Sequence, residues 1–148
     1  FEEVRSDFTH ITSEAKHIDA VAMELIQHPS DFDVLVTNNM YGDILSDVTS
    51  GLAGGIGLAP SVNMNIDGIS LFEPVHGTAP DIVGKGIANP VASILTGALI
   101  LDHLGCEQGA SSIRRAVESS IADGCRTPDL GGSLSTQECG KEIRDRLK

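Results

Sequence analysis

Tryptophan is absent, tyrosine occurs once, and aromatic residues make up 3% of the 148 positions. So few flat rings argue against base-stacking platforms and carbohydrate-stacking surfaces. Cations are scarce as well: 10 Lys and Arg stand against 21 Asp and Glu, a net charge of −11. A surface that acidic repels phosphate backbones and anionic lipid, so neither nucleic acid nor a membrane is an expected partner. It leaves a divalent-cation site open, because clustered acids are what such a site is made of. Cys106, Cys125 and Cys139 are an odd number at wide spacing with no CxxC. That disfavours a disulfide framework or zinc knuckle and points to reduced thiols in the cytoplasm. No apolar run approaches the roughly 18 residues of a membrane span; the longest, 91–101, is interrupted by Ser93, Thr96 and Gly97. The chain opens on Phe1 with no signal-peptide pattern, and reads as a piece of a longer protein.

What is present is a globular composition, 41% apolar and 21% charged. Ile18, Val21, Ala22, Leu25 and Ile26 form one helical stripe, which predicts a helix over 13–28, ended by Pro29. Asp33-Val34-Leu35-Val36-Thr37 reads as a buried, parallel strand. A second helix is expected over 41–52 with Ile44, Val48 and Leu52 on one face, followed by loop at 60–68. Residues 70–75 read as another strand, with Pro74 near its end, and 76–88 as a long irregular loop of the kind that usually carries function. Asn89 and Pro90 are an N-cap and a first-turn proline, starting a helix to about Leu104 that Gly105 ends. Further helices are expected over 111–122, stopped by Gly124, and from a Ser135 or Thr136 cap to Lys148, with a turn at 129–132 between them. Strands alternating with helices place the chain in the α/β class.

Three constellations can carry chemistry. Asp43 and Asp47 are four apart on one helical face, where two carboxylates repel unless a cation sits between them. Oxygen-only ligands suit Mg²⁺ or Mn²⁺; the alternative is two solvated acids. Asp19 lies in an otherwise apolar stretch, where a partly buried carboxylate needs a partner, either a metal or a Lys or Arg. The loop from Glu73 through His76 and Asp81 to Asn89 brings a strand end, a glycine, an acid and a helix start into sequence. Asp81 can accept hydrogen bonds from ribose hydroxyls there, and free N–H groups can meet phosphate or adenine. The alternative is a structural loop with His76 a satisfied histidine.

These segments together resemble the C-terminal portion of the β-decarboxylating dehydrogenases, which act on isopropylmalate, isocitrate, homoisocitrate or tartrate/D-malate. The matching pieces are Ile18-Asp19-Ala20, Phe32-Asp33-Val34 through Asn38-Asn39-Met40-Tyr41-Gly42-Asp43-Ile44-Leu45-Ser46-Asp47, Gly57-Leu58-Ala59-Pro60-Ser61, Glu73-Pro74-Val75-His76-Gly77-Thr78-Ala79-Pro80-Asp81-Ile82, Gly86-Ile87-Ala88-Asn89-Pro90 and Thr127-Pro128-Asp129-Leu130-Gly131-Gly132. They follow the family's order and spacing over nearly the whole chain.

The resemblance implies that Asp43 and Asp47 are metal ligands of one subunit and Asp19 a third, supplied across a homodimer interface. The Mg²⁺ or Mn²⁺ would chelate the substrate and stabilise the enolate left when CO₂ departs. It also implies an NAD loop: His76, Gly77, Thr78, Ala79 and Ile82 along the cofactor, Asp81 on the adenosine ribose and Asn89 on adenine. Members that use NADP tend to carry a basic residue and a Tyr where this chain has Asp81 and Ile82, so the cofactor expected is NAD. The implied fold has two α/β subdomains. Residues 1–53 would end the central, dimer-forming and metal-binding one, and 54–148 would form the C-terminal half of the NAD-binding one. The family's catalytic Lys and Tyr and its substrate arginines precede the first matching segment, so no catalytic residue beyond the metal ligands is expected here and the isolated chain is expected to be inactive. Glu73-Pro74-Val75 resembles the isopropylmalate, homoisocitrate and tartrate members more than many isocitrate ones, and the leading expectation is isopropylmalate, the leucine-biosynthesis substrate. The 58–61 and 63–65 segments lean toward homoisocitrate or tartrate/D-malate. A regulatory subunit of a heteromeric isocitrate dehydrogenase is the non-catalytic alternative; it may lose metal or nucleotide residues, whereas Asp19, Asp43, Asp47 and Asp81 are all present.

Overall fold

The computed structural model describes residues 1–147. The chain divides into two compact units, Phe1–Thr49 and Ser50–Lys148. In chain order the elements are helices α1 (Glu2–Arg5), α2 (Ile18–Gln27) and α3 (Asn39–Leu52), strands β1 (Pro60–Asn63) and β2 (Leu71–Pro74), and helices α4 (Val91–His103), α5 (Glu107–Ala122) and α6 (Thr136–Asp145). Helices with one small sheet make this an α/β chain.

In the first unit, Val21 and Leu25 of α2 bury against Leu45 of α3, with Ile18, Ala22 and Phe32 packed around them. The α2 helix begins at Ile18, later than the expected residue 13, because the apolar stripe begins there; His17 before it is extended. Its fifth apolar residue, Ile26, is left 59% exposed. At α3 the Asn38 side chain accepts the Tyr41 N–H at 3.1 Å, which caps the helix one residue before Asn39. The buried face of α3 carries Leu45, whereas the expected face leaves Ile44 and Leu52 about half exposed. The expected strand at 33–37 is absent. Val34 is 80% exposed and Val36 79%. A central strand requires neighbours for its N–H and C=O groups, and the described residues offer this segment no ladder.

In the second unit, β1 and β2 pair antiparallel in the register Pro60↔Pro74 to Asn63↔Leu71. The segment expected as loop therefore supplies the partner of the expected strand; its proline sits at the ladder's end, where the missing donor is harmless. Helix α4 packs on α5 and on both strands, and α6 on α5. Val91, Ala116, Val117, Cys139 and Ile143 form the core, with Leu58, Ile94, Leu95, Ile121 and Leu134 around it. Ala92, Ala98 and Ala110 are fully buried, which lets the helices approach closely; a Cβ at Gly109 of α5 would stand 3.1 Å from Leu101 of α4. The Arg114–Asp102 ion pair ties the same two helices. Helix α5 starts at Glu107, a turn earlier than expected, directly after Gly105 closes α4 in the left-handed region at φ +76°. Ser135 begins α6 with a capping box: its hydroxyl accepts the Glu138 N–H, and the Glu138 carboxylate accepts the Ser135 N–H. This helix ends at Asp145, and its expected last residue, Lys148, lies outside the described residues.

Candidate functional site

The acidic residues of the first unit sit on two helices. Asp43 and Asp47 lie one turn apart on α3 and are both exposed. Asp43 Oδ2 accepts an N–H of the Asn39 side chain at 2.9 Å. Neither carboxylate is paired with a Lys or Arg among the described residues. Asp19, expected to be partly buried, is exposed on the first turn of α2. The stripe of α2 turns Val21 and Leu25 inward and leaves this position to solvent. Its Oδ1 accepts the Ala20 N–H at 2.9 Å, and it too has no cationic partner among the described residues. The three acids do not converge within this chain: among the described residues no three His, Cys, Asp or Glu side chains are grouped to hold a metal. What α3 offers is a two-carboxylate half-site, and its oxygen-only donors suit a hard divalent cation.

The loop of the second unit is built between β2 and α4. His76 is half-buried, and its Nδ1–H donates to the Gly77 carbonyl at 3.0 Å. Gly77 and Thr78 are exposed, and nothing lies within 4 Å of where a Gly77 Cβ would stand, so a ligand can approach the backbone there. Ala79 is the one described non-glycine residue at positive φ, +43°; its carbonyl accepts the Ile82 N–H at 3.0 Å. That turn leaves Asp81 exposed with its carboxylate unpaired among the described residues, and Ile82 partly covered.

Asn89 closes the loop. Its Oδ1 accepts the Val91 N–H at 3.0 Å, and Pro90 is already helical at φ −84°, ψ −6°. Asn89 is therefore the expected N-cap, with Pro90 at the first position. The other half of the amide is also engaged: Asn89 Nδ2 donates to Asp129 Oδ2 at 3.0 Å. Thr127, fully buried, donates its hydroxyl to Asp129 Oδ1 at 2.5 Å. Thr136 adds two ties, its N–H to the Gly86 carbonyl at 2.8 Å and its hydroxyl to the Ala88 carbonyl at 2.5 Å. The end of the loop is thus held from behind by residues about forty to fifty positions later. From the sequence, 127–132 is a segment of the resemblance with a turn at 129–132, and Asp129 has no assigned role. A second signal is that an N-capping Asn, once buried, needs a partner for its NH₂ group.

Of the three free cysteines only Cys139 is buried. Burial, with the charges of Cys125 and Asp129 nearby, pushes the Cys139 thiol above its ordinary range, which makes it a poor nucleophile. No helix among the described residues is long and apolar enough to cross a membrane.

Comparison with known proteins matches the chain, in sequence and in fold, to a family. Homoisocitrate dehydrogenase of Methanocaldococcus jannaschii is 50% identical over 148 residues, all of this chain and 42% of the relative. The 3-isopropylmalate dehydrogenase of Anaeromyxobacter dehalogenans is 54% identical over 131 residues, 88% of this chain and 37% of the relative. The crystal structure of isocitrate dehydrogenase from Methylococcus capsulatus superposes with a TM-score of 0.92 at 44% identity, covering 99% of this chain and 44% of that one. The chain spans about two fifths of the length of these relatives. Residues 1–143 match the profile of the isocitrate/isopropylmalate dehydrogenase family, and the chain belongs to that family.

Proposed function

We propose that the chain is the C-terminal part of a cytoplasmic, NAD- and Mg²⁺- or Mn²⁺-dependent dehydrogenase that oxidatively decarboxylates a malate-type 2-hydroxy acid, with 3-isopropylmalate as its substrate. The observation that carries this reading is a set of four exposed carboxylates, Asp19, Asp43, Asp47 and Asp81, that have no cationic partner among the described residues. Asp43 and Asp47 would hold the metal, which when bound supplies a Lewis acid for the substrate's oxygens. Asp81 would accept hydrogen bonds from two ribose hydroxyls, and the open side of Gly77 would admit the cofactor against the backbone. A non-catalytic regulatory subunit has less reason to keep all four acids.

A homodimer completes the proposal. Met40, Ile44 and Leu52 are 60%, 51% and 46% exposed and recur at four- and eight-residue spacing along α3, an apolar face that a second copy would cover. Asp19 would then join Asp43 and Asp47 of the neighbouring subunit. Within the family Glu73-Pro74-Val75 resembles the isopropylmalate, homoisocitrate and tartrate members more than many isocitrate ones, and 3-isopropylmalate is the substrate proposed among them. The two relatives, at 50% and 54% identity, carry different substrate names and do not separate the choices. The 58–61 and 63–65 segments favour a second reading, homoisocitrate or tartrate/D-malate.

The test is NADH formation by the complete protein with 3-isopropylmalate, homoisocitrate, isocitrate, tartrate and D-malate in turn. We expect the highest kcat/KM with 3-isopropylmalate, a strict requirement for Mn²⁺ or Mg²⁺, and loss of turnover in Asp43→Asn, with a milder loss in Asp47→Asn. Full activity of Asp43→Asn at limiting Mn²⁺ would return the two acids to a merely solvated helix face.

A further inference from the structure

The geometry points to Asp129 as a positioning residue for the cofactor loop, acting through Asn89; this rests on reading 76–89 as the NAD loop. A side-chain amide has two N–H donors and one oxygen. In Asn89 the oxygen caps α4 through Val91 and one N–H is taken by Asp129, which leaves one N–H for an acceptor on a bound base. Those two protein bonds also fix which way the amide faces, because a carboxylate accepts only from the NH₂ side and a backbone N–H donates only to the oxygen.

Asp129 is itself held. Its second oxygen takes the Thr127 hydroxyl at 2.5 Å, and the residue lies in the turn Pro128–Leu130, closed by Gly131 at φ +74°. Gly57 makes the approach possible: a Cβ there would stand 2.9 Å from Asp129 Oδ2 and 3.1 Å from Asn89 Cβ. Three separate stretches of chain therefore meet at one amide. Since Asn89 is 9% exposed, little freedom is left to it once Asp129 is in place. Without that acceptor the NH₂ group can turn or be solvated, and a base would bind an amide that must first be ordered.

The experiment is titration of the complete protein with NAD, followed by ¹H–¹⁵N NMR so that the Asn89 side-chain NH₂ signal and the dissociation constant are read together. Asp129→Ala is expected to shift that signal and to weaken NAD binding about tenfold, and Asn89→Ala to weaken it equally. The double variant should be no weaker than either, because the two act as one unit. Asp129→Asn should restore binding to within about threefold, since its amide oxygen can face Asn89 while its NH₂ group faces the Thr127 hydroxyl. Gly57→Ala crowds the same carboxylate without removing it and should weaken NAD as well, which covers the case where Asp129→Ala does not fold. Asn89→Ala binding NAD normally, or no NAD-dependent shift in the unmodified complete protein, would overturn the loop reading and the proposal with it. Weakening by Asn89→Ala alone, or losses that multiply in the double variant, would overturn the role of Asp129 and leave the loop reading standing.

Discussion

Gly132 lies against the backbone of Arg126 so closely that a Cβ on it would stand 2.0 Å from the Arg126 carbonyl oxygen. That carbonyl accepts the Leu134 N–H at 3.0 Å, and the Gly132 N–H donates to the Thr127 carbonyl at 3.0 Å. The turn is thereby folded back on itself, which places Thr127 and Asp129 against the end of the 76–89 loop. Gly132→Ala is expected to destabilise the chain by more than the roughly 1 kcal/mol of an ordinary helix glycine exchange, because the neighbour that must shift is main chain. Gly140→Ala, in the middle of α6 with nothing within 4 Å of its Cβ position, should hold or raise stability through helix propensity. Thermal unfolding of the two variants gives the comparison; equal midpoints would contradict the close approach.

How far this was legible in the sequence depends on whether a signal was local. Asn89-Pro90, Gly105, Gly124 and Ser135 announce helix ends through their own chemistry, and the ends of α4, α5 and α6 follow them. The β-branched run at 33–37 fails for the converse reason: β-propensity expresses packing against neighbouring strands, and the described residues give Val34 and Val36 none. The acids proposed for metal and cofactor stand out in the sequence as residue types at a spacing. The exposure of Asp19, which depends on which way α2 turns its stripe, does not. Nor does Asp129, because its bond to Asn89 spans forty residues and no periodicity reports a contact of that range.

The capping box predicts a pH dependence. The Ser135 N–H and hydroxyl donate to the Glu138 carboxylate at 2.8 and 2.7 Å, which holds its pKa below the ordinary glutamate value. A carboxyl with a depressed folded-state pKa binds protons more readily when unfolded. Its stabilisation is therefore complete above the unfolded pKa and is lost as pH falls through the folded one. Glu138→Gln is expected to lower the unfolding midpoint at neutral pH, with the gap from the unmodified chain closing below the ordinary glutamate range. A gap that widens in acid would contradict the sign.

Thiol accessibility follows from burial. Cys106 is exposed, Cys125 half-buried and Cys139 buried in the core. A maleimide reagent at neutral pH should label Cys106 first and leave Cys139 untouched until denaturant is added, as counted by mass spectrometry of the digested chain. Prompt labelling of Cys139 in the folded chain would mean that the packing of α6 on α5 is looser than the structure describes.

Whether the 76–89 loop belongs to an NAD enzyme is decided at Asp81. A carboxylate there accepts hydrogen bonds from ribose hydroxyls and repels a 2′-phosphate. A lysine would pair with that phosphate through a charge-assisted bond. The measurement is kcat/KM of the complete protein with NAD and with NADP, before and after Asp81→Lys with Ile82→Tyr. The expected result is a preference for NAD that the double change moves toward NADP by about tenfold or more, a demand of only about 1.4 kcal/mol. An unmodified protein that prefers NADP, or a ratio the exchange leaves unmoved, would contradict the placement of Asp81 on the ribose and the loop assignment with it.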